Sequence, residues 1–440
     1  MHIALYLAPN GFHFGGWRHP SAKVVDPLAL KTYVDIAQTA ERGKLDMVFI
    51  ADKLAIDDIY GSDFAATVDF RTEGIRPEPW SILSALVAVT SKIGLAATVS
   101  TSYAEPYHAA RSIAMLDHLS GGRIGWNAVT STHDGEARNL GKSSHYDHAT
   151  RYGRAEEFID VVRKLNDTWD DNAVLLDPDT GRYADASKVR YLDHQGAWFK
   201  VRGPLSVPRP TQGQPVLIQA GASGAFKTLA AQKAEAIFAV LPHLRAGQDF
   251  YKEFKSSVVQ YGRPADAVKV LSGLIPIIGD TEEEARALSL ELNDLVLPVA
   301  GLSFMSGSMN YDLSQHPLDE LFPDILDRIT GSRGRFEYVI KKVRNEGLTL
   351  RQVGKWYAGS GAFITLVGTA SQVAEQMAEW VAQRGCDGFV LMPPYMPGGL
   401  DDFVDKVVPE LQARGVFRKD YTGATLRDHL GLARPVRENI

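Results

Sequence analysis

Apolar and polar positions alternate along this chain in two patterns. Short, nearly continuous apolar runs begin near residues 2, 46, 93, 123, 215, 236, 268 and 388. Between them lie longer stretches with apolar residues at helical spacing, such as Leu30, Tyr33, Val34, Ala37 and Ala40, or Phe158, Val161, Val162 and Leu165. The first pattern predicts strands buried on both faces, as in a parallel sheet sheathed by helices. The second predicts amphipathic helices. Asp26-Pro27 pairs a capping acid with a proline suited to a first helical turn. Gly43 and Gly121-Gly122 read as stops, and Asp280 to Glu283 resembles a capping box. Eight βα repeats close naturally into a (β/α)8 TIM barrel, although an open doubly wound sheet fits the same alternation.

Three segments exceed a minimal barrel, at about 53–79, 168–212 and 297–365, and read as insertions in a single barrel domain spanning residues 1–440. Long loops after barrel strands shape the active-site face. The stretch 180–201, with Tyr183, Tyr191, Trp198 and Phe199, suits a hairpin. The glycine-punctuated third insertion suits either a lid or an added structural excursion.

Composition narrows the class. Hydrophobic residues make up 45% of the chain, enough for a sizeable core, and the net charge is -6 with no basic block. Nothing points to nucleic acid or to an anionic membrane surface. No apolar run approaches the roughly 18 residues of a membrane span, and the start lacks the pattern of a signal peptide, so a cytoplasmic location is expected. Cys386 is the one cysteine, which rules out an internal disulfide, and its apolar context suits an inert packed thiol.

Candidate chemistry gathers where the predicted strands end. Asp52 follows the second run and would face a barrel mouth, or else cap a helix or pair with Lys53. Thr98 is late in the third run, where its hydroxyl could meet a ligand or simply belong to a β-branched strand. The segment 125–131, GWNAVTS, sets Asn127 among amide and hydroxyl groups that suit the edge of a planar ring or a small polar turn. Gln219 to Gly224 (QAGASG) joins a strand to a helix with small residues around Ser223, as for backbone binding of phosphate or a tight turn. His148 and Tyr152 are four apart at a helix start and can share a face. His118, His133 and His145 with His148 raise a metal-dependent barrel hydrolase, but the His-x-His start of such barrels is missing and no metal is expected. The loop 11–20 (GFHFGGWRHP) offers His13 and Trp17 as pocket liners, or simply caps the barrel. No nucleophile elbow or reactive cysteine is present.

Taken in order, several segments resemble one family: GWRHP at 16–20, AERGKLDMVFIAD at 40–52, GWNAVTS at 125–131, ARNLG at 137–141, HATRYGRAEEF at 148–158, GPLSVPRPTQGQPVLIQAGASG at 203–224 and TLRDHL at 425–430. Nearly the whole chain resembles the nitrilotriacetate monooxygenase component A branch of the bacterial luciferase-like flavin monooxygenases. The resemblance implies a TIM barrel that takes reduced FMN as a diffusible co-substrate from a separate NAD(P)H:flavin reductase. With O2 it would oxidise a small organic substrate: a nitrilotriacetate-like aminopolycarboxylate, an organosulfur compound or an alkane. It also implies a homodimer or homotetramer. Carried over, Asp52, Thr98, His148, Tyr152 and Ser223 match FMN-binding positions, with Asn127 a further ring contact. His133 stands where the family more often has Asn, and with His13 and Trp17 it becomes a substrate-pocket candidate. Deazaflavin-dependent reductases of the same superfamily, and flavin-binding proteins without catalysis, are the alternatives.

Overall fold

The computed structural model describes residues 1–221, 224–331 and 333–438. Nine parallel strands form its main sheet: β1 (His2–Tyr6), β2 (Met47–Ile50), β3 (Gly94–Ser100), β4 (Ile124–Val129), β5 (Val216–Ala220), β6 (Ala236–Ala239), β7 (Lys269–Ile278), β8 (Ile364–Gly368) and β9 (Gly388–Leu391). Strands β1 to β7 pair in the spatial order β1-β2-β3-β4-β5-β6-β7, and β9 lies between β7 and β1. The pairing of Ala236 with Lys269 through Ala239 with Ser272 closes the ring, so the sheet is an eight-stranded barrel, as the alternation predicted. The open-sheet reading is thereby excluded. β8 is the strand that sequence periodicity missed. It pairs only with the far half of the long β7, Leu274–Ile278, outside the ring of eight.

Alternation along the strands sorts side chains into two cores. Ala4, Met47, Phe49, Ala96, Val216, Ile218, Ala236, Leu271 and Val390 fill the barrel interior. Ile3, Leu5, Val48, Leu95, Ala97, Trp126, Leu217, Ile237, Val270 and Phe389 point outward into the helical sheath. The interior is plugged at the N-terminal ends of the strands by Leu426, which opens the helix Leu426–His429, and by Leu430, which caps its end, and this is why β3 begins with a glycine: a Cβ at Gly94 would collide with Leu426. Cys386 is buried and its thiol is pushed up to about 12 by burial, the behaviour of a packed residue.

Local signals moved by a few residues. The first long helix starts at Leu30, not at Pro27, because the Asp26 carboxylate caps a turn at the Leu28 N–H instead of the helix. The capping box near 280 is formed one residue later, by Thr281 and Glu284. The stretch expected as one hairpin contributes to two small ribbons, Val174–Asp177 with Arg182–Ala184 and His194–Gln195 with Lys200–Val201. The segment 297–365 builds helices Pro298–Met309, Arg333–Glu346 and Leu350–Ser360 around a core of its own that includes Met305, Phe336, Val339 and Tyr357. No single helix among the described residues is long and apolar enough to cross a membrane.

Gly388 opens β9 where its backbone lies against His2, and a Cβ there would overlap the His2 carbonyl oxygen. Gly388→Ala is therefore expected to cost about 1–3 kcal/mol, read as a lower urea midpoint with unchanged slope.

Candidate functional site

Parallel closure brings the C-terminal ends of all eight ring strands to one mouth, where a cavity of about 500 Å³ opens. That is within the range of about 300–1,000 Å³ typical of small-molecule sites. Asp52, Thr98, Asn127, His148 and Tyr152 all line it. Thr98 and Asn127 are register partners on β3 and β4, and the Asn127 amide donates to Thr98 Oγ1 at 3.1 Å. Thr98 Oγ1 donates in turn to the Ile50 carbonyl at 3.2 Å, which ties both residues to the end of β2, two residues before Asp52. Asn127 is only 3% exposed, and its Oδ1 is buried with no partner among the described residues. A buried acceptor left unmatched costs about 1–3 kcal/mol, so Oδ1 can accept a donor from outside the described residues.

His148 opens the long helix His148–Asn166, capped by the Asp147 side chain on the Thr150 N–H at 3.0 Å. Its ring lies 4.8 Å from that of Tyr152, so the pair shares one face as the spacing predicted. Arg151, in the same turn, also lines the cavity. It donates to the Ser131 carbonyl at 2.7 Å, while its buried Nε lacks an acceptor among the described residues. A helix N-terminus, an imidazole, a phenol and a guanidinium together make an anion-seeking rim. The β5 end reaches this rim at Gly221. Ser223, read from sequence as the phosphate turn, lies outside the described residues.

Three sequence candidates are not among the residues lining this cavity. His13 is buried in the first loop, where Nδ1 accepts from the Gly15 N–H at 3.1 Å and Nε2 meets Asn293 Oδ1 at 3.4 Å. Burial lowers it to about 4. Trp17 is half-buried in the short turn Gly16–Arg18 of the same loop. His133 is fully buried and caps the helix Asp134–Asn139, accepting from the Gly135 N–H at 3.0 Å, with Nε2 facing Asp57 and Asp58 at 3.7 and 3.5 Å. No group of three metal-ligating side chains occurs among the described residues.

Sequence reasoning overlooked the charged wall beside the site. Lys53 and Arg71 both contact Asp57, Arg71 at 2.7 Å, and Arg71 also binds Glu73. The Arg71 guanidinium lies 4.9 Å from the Phe304 ring, so the first insertion is pinned to the helix Pro298–Met309 of the third. Burial raises Asp57, but Lys53 and Arg71 outweigh it and hold the carboxyl well below its usual range. Glu136 is a second buried acid at the mouth, accepting from Ser131 Oγ at 3.0 Å and from the Leu54 N–H at 3.2 Å. The i, i+3 spacing from His148 could have found Arg151; no local pattern announces Glu136 or Arg335.

Two outcomes follow from these charges. Arg71→Leu takes from Glu73 its main counterion and leaves Asp57 with Lys53 alone, and should cost about 3–5 kcal/mol, measured by urea unfolding at neutral pH. Since Asp57 is depressed, its contribution is present above the ordinary carboxylate range and lost as pH falls through about 4 and below. Asp52 has the opposite sign. Burial raises it, despite the N–H of Lys53 on its Oδ1 at 2.8 Å, so the ionised form opposes folding once pH rises through its folded value. Asp52→Asn should raise the melting temperature of the ligand-free protein at pH 7.5 and lose that advantage near pH 4.

Comparisons with known proteins agree with the barrel fold. Residues 11–388 match the family model for luciferase-like monooxygenases. The chain is 45% identical to N-acetyl-S-(2-succino)cysteine monooxygenase of Bacillus subtilis (strain 168) over 99% of its length and 97% of the relative's. It is 44% identical to nitrilotriacetate monooxygenase component A of Aminobacter aminovorans, again over 99% and 97%. Among solved structures it is similar to a riboflavin lyase with modified FMN and riboflavin, with a TM-score of 0.87 at 31% identity, covering 98% of this chain and 96% of that one.

Proposed function

The chain belongs to the luciferase-like monooxygenase family, and on that footing we propose that it is the oxygenase component of a two-component system, using reduced FMN and O2 to oxidise a small organic substrate. The observation that carries the FMN assignment is the buried Asn127 Oδ1 at the cavity wall, without a partner among the described residues. Asn127, Thr98 and Asp52 offer the in-plane acceptors and donors that the heteroatom edge of a flavin ring requires. His148, Arg151 and Tyr152 would hold the phosphate, with Ser223 assigned to the same end on sequence alone.

When bound, reduced FMN supplies the electrons that activate dioxygen. The residues here bind, orient and exclude water. Phe49, Phe238, Val390 and Met392 line the floor of the cavity and keep it apolar, and Phe304 and Phe363 border it. The name of the Aminobacter relative, a component A, supports a partner that reduces the flavin. The substrate class spans aminopolycarboxylates, organosulfur compounds and alkanes.

Coupled to a flavin reductase, with FMN and NADH, the protein should consume O2 in a substrate-dependent way. Alone with NADH it should not oxidise the nucleotide, and rapid oxidation would exclude the two-component scheme. Ser223→Asp, and separately His148→Ala, should weaken FMN binding by about 1.4 kcal/mol or more, roughly tenfold, as read by flavin fluorescence titration. Unchanged affinity in both would remove the phosphate assignment.

A further inference from the structure

Arg335 borders the cavity in the sector that the flavin-binding positions leave free. In the ring, β9 is four strands from β4 whichever way the barrel is traced. Arg335 stands over Phe363, whose ring occupies the space above Gly273 of β7, the neighbour of β9. The flavin-binding residues Asp52, Thr98 and Asn127 come from the β2–β4 side.

The guanidinium is anchored but not neutralised. Its Nη2 donates to the Gly361 carbonyl, and its centre lies 5.0 Å from the Phe363 ring, 5.3 Å from Tyr357 and 5.9 Å from Phe304. Among the described residues no carboxylate pairs with it, and its Nε is buried without an acceptor. The other cations of this wall differ. Lys53 has Asp57, and Arg71 has both Asp57 and Glu73. Arg76, on the same cavity, reaches Glu73 at 3.8 Å, an acid already engaged by Arg71. Aromatic faces recover only part of the cost of desolvating a guanidinium. A planar fork with free N–H groups beside a ligand cavity matches a carboxylate, which accepts two parallel hydrogen bonds from it.

We propose that Arg335, assisted by Arg76, receives a carboxylate of the substrate, so that the compound oxidised here is a small organic anion and not a neutral sulfide or an alkane. The proposal deepens the monooxygenase reading and rests on it for the identity of the site. Phe304 and Phe363 then pack the carbon skeleton against the wall while the acid is fixed at the far end from the flavin edge.

The test is binding of succinate, nitrilotriacetate and their methyl esters, measured by calorimetry with and without FMN. It is made on the full-length wild type and on Arg335→Gln and Arg335→Lys, with FMN affinity measured separately on each. At least one acid should bind saturably at millimolar concentration or below, and its ester roughly tenfold more weakly or worse. Arg335→Gln should lose roughly tenfold or more in acid affinity. Arg335→Lys should recover part of it, because an ammonium keeps the charge but not the fork. FMN affinity should stay unchanged in both variants. Acids that fail to bind, esters that bind as well as acids, or full acid affinity in Arg335→Gln would each overturn the proposal. Wild-type protein that binds acids but not FMN would instead remove the flavin reading and leave the carboxylate site standing.

Discussion

The site depends on one constraint: hydrogen bonding between neighbouring parallel strands, carried round until the last meets the first. Once β6 pairs with β7 and β9 with β1, every ring strand must deliver its C-terminal end to the same rim. Register then sets the level of each side chain. Thr98 faces Asn127 across β3 and β4, and Ile50 faces Ala97 across β2 and β3, so Asp52 emerges just above the pair. Asp52, Thr98 and Asn127 are far from one another in sequence. Their meeting results from backbone pairing, and the side-chain hydrogen bonds from Asn127 to Thr98 and from Thr98 to Ile50 only refine it.

The rim divides into two kinds of surface. From β2 to β5 it carries amides, hydroxyls and the start of the helix His148–Asn166, groups suited to a polar planar ligand with an anionic tail. Towards β7 and β1 it is bordered by Phe363 and Tyr6, part of an aromatic chain in which Phe363, Phe12, Tyr6, Phe49 and Phe238 follow one another, down to the cavity floor, at centroid distances of 5.7, 5.6, 6.1 and 4.7 Å. Arg335 is the cation set into that apolar half. The insertions build much of this second half, and the Asp57–Arg71–Glu73 cluster braces them at a desolvation cost that only mutual pairing offsets.

How much of this was legible in the sequence follows from the range of each interaction. Strand and helix identity is local, so eight apolar runs were enough for the barrel, and strand ends were enough to bring Asp52, Thr98 and Asn127 forward. β8 escaped because Ile364–Gly368 alternates buried and exposed residues at the edge of an insertion, unlike the continuous apolar runs of the ring. His13 and His133 were singled out for their residue type. Their actual partners, Asn293 for one and Asp57 and Asp58 for the other, belong to segments whose approach no local pattern encodes. Arg335 was invisible for the same reason: its meaning comes from the absence of an acid in a three-dimensional neighbourhood.

The most direct test of the account is a crystal structure of the protein soaked with FMN. The account requires the isoalloxazine edge against Asn127 Oδ1, with Thr98 and Asp52 beside it, and the phosphate at the helix start by His148, Arg151 and Tyr152. Flavin bound elsewhere, or bound in the cavity with Asn127 Oδ1 still unpaired, would contradict it.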